Sequence, residues 1–180
     1  RVNACSGCER WGEKIYIMQR DLVTLSISSA GQPAADAPVA SPSLRVVTMR
    51  VDSASLLMNN EDEWAEIGRG LVLHISFFST ATHAGMRKAV RKLLRLPLLS
   101  RGKWGDEHEP ESVLKLAPDE GGIDVLVVPQ ANLTGAPSSS SNSVRYTDQL
   151  PKDAAREMYK CFCDEISIAS AEALRPAAAL

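Results

Sequence analysis

The stretch VLVVPQANLTG, Val125 to Gly135, is apolar for its first four residues and changes character at Pro129. Val125 to Val128 predict a strand that is buried on both faces. Because proline has no N–H for a sheet ladder, we expect pairing to end there on one side and to free the backbone groups beyond it. Gln130 and Asn132 lie two positions apart and face the same way. Two amides suit recognition, or polarisation of a carbonyl, better than covalent attack.

The segments around this stretch carry strand patterns. Gly70 to Phe78, GLVLHISFF, predicts a second strand that is apolar on both faces. Val23 to Ser28 alternates as a half-buried strand after a first strand at Lys14 to Met18. Leu44 to Asn59 predicts two strands or one bent strand, and Ser112 to Ala117 predicts a short one.

Two amphipathic helices complete the pattern. The first ends before Pro97, and the second runs from Lys152 to about Ser170 with Pro151 at its start. Their apolar stripes are Met86, Ala89, Val90, Leu93 and Leu94 in the first, and Ala155, Met158, Tyr159, Phe162, Ile166 and Ala169 in the second. The sequence therefore predicts a single α+β domain over residues 1–180, with two main helices packed on one side of a sheet.

The composition is that of one globular domain. The chain has 180 residues, 44% of them hydrophobic, and a formal net charge of −2. This charge argues against a general nucleic-acid coat protein, although it leaves room for a local basic surface. No apolar run reaches the roughly eighteen residues that cross a bilayer. We expect a soluble, cytoplasmic protein that has no membrane partner.

Metal and cofactor motifs are weak. Cys5 and Cys8 have the spacing of half a zinc site, but Cys161 and Cys163 lie two apart on a predicted helix and point about 200° away from each other. We expect reduced thiols, no metal and no cofactor. His108 lies in the acidic run GDEHEPE, which is more typical of a solvated loop than of a cation site.

The first predicted helix carries a basic face. Seven Lys or Arg residues and no Asp or Glu occur between Met86 and Lys103. One interpretation is the solvated face of an amphipathic helix, and the other is a phosphate contact surface. The sequence alone does not separate them. The candidate phosphate contacts are Arg87, Lys88, Arg91, Lys92 and Arg95.

Residues 44 to about 168 resemble the D-aminoacyl-tRNA deacylase family, and within it the animal branch with a Pro-Gln-Ala-Thr-Leu signature. The family's opening Met-Arg-Ala-Val-Val-Gln-Arg-Val and Ala-Ser pair correspond to LRVVTMRVDSAS from Leu44. Glu66 to Phe78, EIGRGLVLHISFF, resembles its Gly-(Arg/Lys)-Gly turn into a core strand and the Phe-Phe pair of the animal branch. Pro129 to Leu133, PQANL, resembles the signature, with Asn132 in place of threonine. The resemblance implies a barrel-like antiparallel or mixed sheet domain.

The family has a second signature, an Asn-X-Gly-Pro-(Val/Phe)-Thr turn, after its last helix. In this chain the segment that resembles it lies near the N-terminus. Residues 1–29 resemble the family's closing hairpin, with QRDLVT in place of that turn and Thr24 on its threonine. This order implies a circular permutation in which residues 30–43 are a linker, residues 44–168 the family core and residues 169–180 a tail. The linker's fourteen residues reach roughly 45 Å when extended, enough to cross a domain with a radius of gyration of roughly 16 Å.

In the family, the Gly-Pro pair is cis, enters the partner subunit's active site and screens the chirality of the aminoacyl group. The matching positions here are Asp21 and Leu22, so the resemblance implies an altered or absent filter. It also implies a homodimer in which Asp21 and Leu22 contribute across the interface.

The function implied by this resemblance is hydrolysis of the ester of a mischarged aminoacyl-tRNA, either a D-aminoacyl-tRNA or a misacylated small L-residue such as alanine. The alternative is a catalytically inactive homologue that binds tRNA or RNA, and a weaker third one is a structural or partner-binding domain. We expect catalysis from the Gln130, Ala131, Asn132 and Leu133 backbone and from the Gln130 side chain. The predicted substrate-binding residues are Arg50, Phe77, Phe78, Pro129, Asp21, Leu22 and Thr24.

Overall fold

A computed structural model describes residues 42–102, 108–116, 122–146 and 148–173, together with the backbone of three short strands nearer the N-terminus. A five-stranded sheet forms its centre, in the order β1-β8-β7-β4-β3. Its strands are β1 (Val2–Asn3), β3 (Leu22–Ile27), β4 (Leu44–Val51), β7 (Gly70–Phe77) and β8 (Asp124–Pro129). β4 pairs antiparallel with β3 and β7, whereas β8 pairs parallel with β7 and β1, so the sheet is mixed.

Smaller β elements flank this sheet. A three-stranded sheet has the order β2-β5-β6, and a two-stranded hairpin follows the PQANL stretch. Their strands are β2 (Ile15–Tyr16), β5 (Ala54–Leu57), β6 (Trp64–Ile67), β9 (Ala136–Pro137) and β10 (Val144–Arg145). An apolar cluster that includes Met49, Val72 and Leu126 packs with Ala54 and Ile67 of the three-stranded sheet.

The helices are α1 (His83–Leu93), α2 (Val113–Leu116) and α3 (Lys152–Ala173), and together with the central sheet they enclose the larger core cluster. α1 begins where the Thr82 hydroxyl accepts a hydrogen bond from the Gly85 N–H at 3.1 Å. The predicted apolar stripe of α1 is confirmed, since all five of its residues are buried. The predicted α+β class is likewise confirmed.

Two element predictions differ from the structure. Val113–Leu116 is a helical turn rather than a strand. Val113 and Leu116, three residues apart, are both buried against the core, and the N–H groups of Lys115 and Leu116 donate to the Ser112 carbonyl. α3 also continues through Ala173, and Ala169, which was predicted to begin the tail, is buried in the core.

The Gly-Arg-Gly turn sets the register of β7 against β8. Gly70 lies opposite Asp124 in the parallel ladder, and a methyl group at Gly70 would lie 1.9 Å from the Asp124 carbonyl oxygen. The Asp124 carboxylate also accepts the Gly68 N–H at 2.9 Å. Glycine is therefore required at position 70 by a close approach of two backbones. This register fixes which residues meet at the far ends of the two strands.

The N-terminal strands join the sheets of the core region. β3 pairs with β4 through six residues, from Leu22 opposite Met49 to Ile27 opposite Leu44. β2 pairs with β5. The expected linker falls mostly outside the described residues, as do Cys5, Cys8 and Asp21. In the described part of the chain, no helix is both long and apolar enough to span a membrane.

Candidate active site

The carboxyl ends of β7 and β8 open the site. The last ladder pair joins Ile75 to Pro129, and the Gln130 N–H then donates to the Ile75 carbonyl at 2.7 Å. Pairing on the β7 side therefore extends one residue past the proline, and the Gln130 N–H is not freed as predicted. Within the described residues, the N–H groups of Ala131 and Asn132 have no acceptor.

A single 3₁₀ turn, Ala131–Thr134, follows the strand. Its first N–H groups lack partners because a helix start supplies no earlier carbonyl to accept them. The turn is anchored by the buried Thr134 hydroxyl, which donates to the Ala131 carbonyl at 3.0 Å and lies 3.1 Å from the Ser76 hydroxyl. The threonine hydroxyl in this stretch is thus at Thr134, where it holds the backbone, while Asn132 occupies the signature position.

Arg45 supports the turn from β4. Its guanidinium donates to the Leu133 carbonyl at 2.5 Å and lies over the Phe78 ring, 5.4 Å from the ring centre. Arg45 was not among the predicted site residues. Eighty-eight residues separate it from Leu133, so no local pattern connects them.

A cavity of about 330 Å³ lies beside the turn, between the strand ends and the start of α3. Four predicted site residues line it: Phe77, Pro129, Gln130 and Ala131. Phe77 is also a core residue, because its buried ring meets Phe162 edge to face at 6.2 Å. The structure therefore brings the centre of the PQANL stretch and one phenylalanine to a single pocket.

Three predicted residues lie beside this cavity rather than in its wall. Asn132 is exposed, and its amide oxygen accepts the Tyr146 hydroxyl at 2.6 Å. Leu133 is half-buried with its carbonyl held by Arg45. Phe78 is half-buried beneath the same arginine.

Arg50 does not meet the cavity within the chain. It lies opposite Leu71, four residues from Ile75 and therefore roughly 13 Å along β7. Within one chain Arg50 is thus distant from the turn, and its predicted role in substrate binding stays a prediction. Leu22 lies opposite Met49 and Thr24 opposite Val47, so β3 runs beside this part of β4.

The predicted basic face of α1 divides into two parts. Arg87, Lys88, Lys92 and Arg95 are exposed. Arg91 instead binds Glu165 at 2.7 Å and Glu172 at 3.0 Å, both on α3. The hydrogen bond that Arg91 donates to the Glu172 carboxylate, followed by the one it donates to Glu165, raises the pKa of Arg91. Arg91 therefore links the two helices, and its predicted phosphate contact stays a prediction.

The cavity lining favours orientation over side-chain attack. It contains two amides, Gln130 and Gln149, and the hydroxyls of Ser76 and Tyr159, but no histidine, cysteine or carboxylate. Ser76 is bonded to Thr134, and the Tyr159 hydroxyl donates to the Val127 carbonyl at 2.9 Å. Among the described residues, no cluster of His, Cys, Asp or Glu is arranged to hold a metal. The groups present suit binding of a polar ester and polarisation of its carbonyl.

The chain is similar in sequence to known proteins. The chain is 35% identical over 105 residues to D-aminoacyl-tRNA deacylase 2 of Danio rerio. The matched region covers 57% of this chain and 58% of that protein. It is 36% identical over 103 residues to the Gallus gallus protein of the same name, covering 57% and 54% respectively. The chain thus spans little more than half the length of these curated relatives.

A solved structure has the same fold. It is described as a probable eukaryotic D-amino acid tRNA deacylase and superposes with a TM-score of 0.63 at 28% identity, covering 72% of this chain and 69% of that one. The sequence profile of the family described as D-Tyr-tRNA(Tyr) deacylase matches residues 47–175, well over half of the chain. With this match across the central sheet, the cavity and both long helices, the chain belongs to the D-Tyr-tRNA(Tyr) deacylase family.

Proposed function

We propose that the protein hydrolyses the ester bond of mischarged aminoacyl-tRNA, either a D-aminoacyl-tRNA or a tRNA carrying a small misacylated L-residue such as alanine. The observation that carries this proposal is the cavity at the carboxyl ends of β7 and β8, walled by Gln130 and Ala131. Its family supports the same reaction. A protein that acts on aminoacyl-tRNA works where translation does, so the proposed location is the cytoplasm.

The turn supplies the electrophilic assistance. An aminoacyl ester on a ribose hydroxyl is already activated, so attack by water needs orientation and stabilisation of the developing oxyanion. The N–H groups of Ala131 and Asn132 have no acceptor among the described residues and are the proposed oxyanion donors. Gln130, half-buried in the cavity wall, orients the ester. Pro129 and Phe77 provide the apolar wall behind it.

The site is proposed to be completed across a homodimer. Arg50 and the Leu22 end of β3 lie toward the opposite end of β7 from the cavity of their own chain, which fits a contribution of Leu22, Thr24 and Asp21 to the partner's cavity. Because Asp21 and Leu22 replace a Gly-Pro pair, we expect less stringent rejection of L-aminoacyl groups than a cis Gly-Pro turn would give.

The exposed part of the α1 basic face is proposed to contact the tRNA stem. Arg91 pairs with Glu165, which lies thirteen residues, or about 20 Å, along α3 from Lys152 at the cavity. Lys92 and Arg95 therefore lie well away from the ester, at a position suited to the body of the substrate and not to its reacting end.

The experiment is a hydrolysis assay with three labelled substrates: D-tyrosyl-tRNA, glycyl-tRNA, and L-alanine attached to a non-cognate tRNA. We expect release of at least one aminoacyl group well above the rate without protein. If no ester is cleaved while tRNA still shifts on a native gel, the protein is a silent tRNA-binding homologue. If neither occurs, both interpretations fail.

A further inference from the structure

The wall of the cavity that faces the turn is one side of α3. Lys152, Ala155, Arg156 and Tyr159 all line it, at the spacing that places residues on one helical face. Tyr159 is buried at the base, where its hydroxyl bonds the Val127 carbonyl. Ala155 contributes only a methyl group, which leaves room above the tyrosine. Lys152 and Arg156 are exposed, one helical turn apart, at the mouth.

Both charged residues in the cavity lining are cations. Lys152 and Arg156 are the charged residues among those that line the cavity, although the whole chain has a formal charge of −2. No described residue accepts a hydrogen bond from Lys152. Arg156 meets Asp153 at 3.8 Å, with side chains that are 54% and 96% exposed, so solvent and salt weaken this pair strongly. A ligand anion can therefore engage both cations with little competition from the protein.

We propose that Lys152 and Arg156 bind the phosphodiester that precedes the terminal adenosine of the substrate, and thereby set the direction in which the aminoacyl end enters the cavity. This inference rests on the proposed function. The same two cations repel the α-ammonium group of the aminoacyl moiety, which directs it to the opposite wall at Gln130 and Ala131. Lys152 and Arg156 are thus positioning residues that select a nucleotide-linked ester over a simple amino-acid ester.

The test compares three substrates with the same aminoacyl group: the aminoacyl-tRNA, 3′-O-aminoacyl-adenosine, and 3′-O-aminoacyl-adenosine 5′-phosphate. For the wild type, we expect the added 5′-phosphate to lower KM several-fold relative to the unphosphorylated adenosine ester. The double variant Lys152→Gln/Arg156→Gln should lose this preference and show a KM for aminoacyl-tRNA raised about tenfold, with kcat nearly unchanged. Its KM for the unphosphorylated ester should stay at the wild-type value.

Matched variants and salt provide the controls. Lys160 is an exposed lysine of the same helix that does not line the cavity, so Lys160→Gln should leave all three KM values unchanged. Lys152→Arg should retain the phosphate preference. In the double variant, the slope of log(kcat/KM) against log[salt] for aminoacyl-tRNA should become shallower by about 0.7, as expected when one phosphate of a single strand is no longer neutralised.

The outcomes separate this inference from the proposed function. If the wild type cleaves none of the three esters, the proposed function fails and the inference fails with it. If it cleaves them but makes no distinction between the two adenosine esters, the inference alone is overturned. An equal rise in KM for the phosphorylated and unphosphorylated esters in the double variant also overturns it, because the lost charges would then act through the cavity shape. Thermal melts of each variant show that the fold is retained.

Discussion

Gln130 connects β8 to the 3₁₀ turn in an extended backbone conformation. Its backbone has φ −138° and ψ 92°, an extended conformation outside the α region that a following proline disfavours. Ala131, the next residue, is the first position of the 3₁₀ turn, where proline is tolerated because that N–H has no helical acceptor. Position 131 therefore permits removal of one proposed oxyanion donor with little strain.

We predict that Ala131→Pro lowers kcat for aminoacyl-tRNA hydrolysis by about 100-fold, the loss typical of removing one oxyanion-hole donor. The melting temperature should change little, since Ala131 is exposed. Ala131→Ser, which keeps the N–H, is the control and should retain most of the activity. Equal kcat values for the proline and serine variants would show that this N–H takes no part in catalysis.

Three of the four predicted site residues that line the cavity lie together in the chain. Pro129, Gln130 and Ala131 are consecutive, and the proline and amide chemistry identified them. Arg45 was missed because it reaches the turn only through the register of β4, and Lys152 was missed because it reaches the cavity only through the docking of α3. Such contacts depend on tertiary packing. Periodicity and local motifs carry no information about that packing.

At the scale of elements, Arg91 links α1 to α3. The Glu165 side chain is only 7% exposed, whereas Arg91 is 41% exposed, so the arginine compensates a carboxylate that is nearly removed from water. Periodicity predicted both helices and their buried stripes, but it placed Arg91 on the solvated face. The partner on the second helix lies seventy-four residues away, which the pattern of α1 alone could not reveal.

We predict that Arg91→Ala lowers the melting temperature clearly more than Lys88→Ala, an exposed control from the same helix. The physical reason is that the alanine leaves the Glu165 carboxylate buried without its cation. Replacing both partners, as Arg91→Met/Glu165→Met, should recover most of the loss because no buried charge remains. A double variant less stable than Arg91→Ala would contradict this explanation. Thermal unfolding followed by circular dichroism measures all three.

Glu111 ties the segment before α2 to its surroundings. Its N–H and carbonyl form a bridge with Leu99, and its carboxylate binds Lys115 and Arg101, each at 3.0 Å. The hydrogen bond from Lys115, followed by that from Arg101, lowers the pKa of Glu111 below its ordinary value.

A pH dependence of stability follows from this lowered pKa. The unfolded chain binds a proton at Glu111 near pH 4.3, at about the ordinary glutamate pKa, whereas the folded chain binds it only at lower pH. The stabilisation is therefore fully present above about pH 5 and is lost as pH falls through the folded value. We predict that Glu111→Gln unfolds at a lower temperature than the wild type at pH 7, and that the difference shrinks toward pH 3. A difference that stays constant over this range would remove Glu111 as its cause.

At the scale of the whole molecule, residues 1–29 contribute strands to sheets built from the rest of the chain. β1 pairs with β8, β2 with β5, and β3 with β4. In an independent N-terminal unit these strands would pair with each other, whereas here each pairs with a strand from the rest of the chain. They support the proposal that the segment supplies a closing hairpin displaced by circular permutation, although β2 pairs with β5 and not with β3. Sequence motifs suggested the displaced segment, while the partner of each strand required the sheet topology.

Moving the segment tests this proposal. A rearranged chain of residues 42–180, followed by a flexible Gly/Ser linker and residues 1–29, keeps the same strands and the bond from the Phe78 N–H to the Ser43 carbonyl, and moves the break to residues 30–41. We predict that it folds with a melting temperature close to that of the wild type and retains hydrolysis. Deletion of residues 1–29 should instead lower the melting temperature by at least about 10 °C, because it leaves the edge of β4 unpaired. If deletion leaves both stability and hydrolysis intact, residues 1–29 are an appendage and the permutation is wrong. If both the rearranged and the deleted chain fail to fold, the segment is needed and so is its original connection to β4.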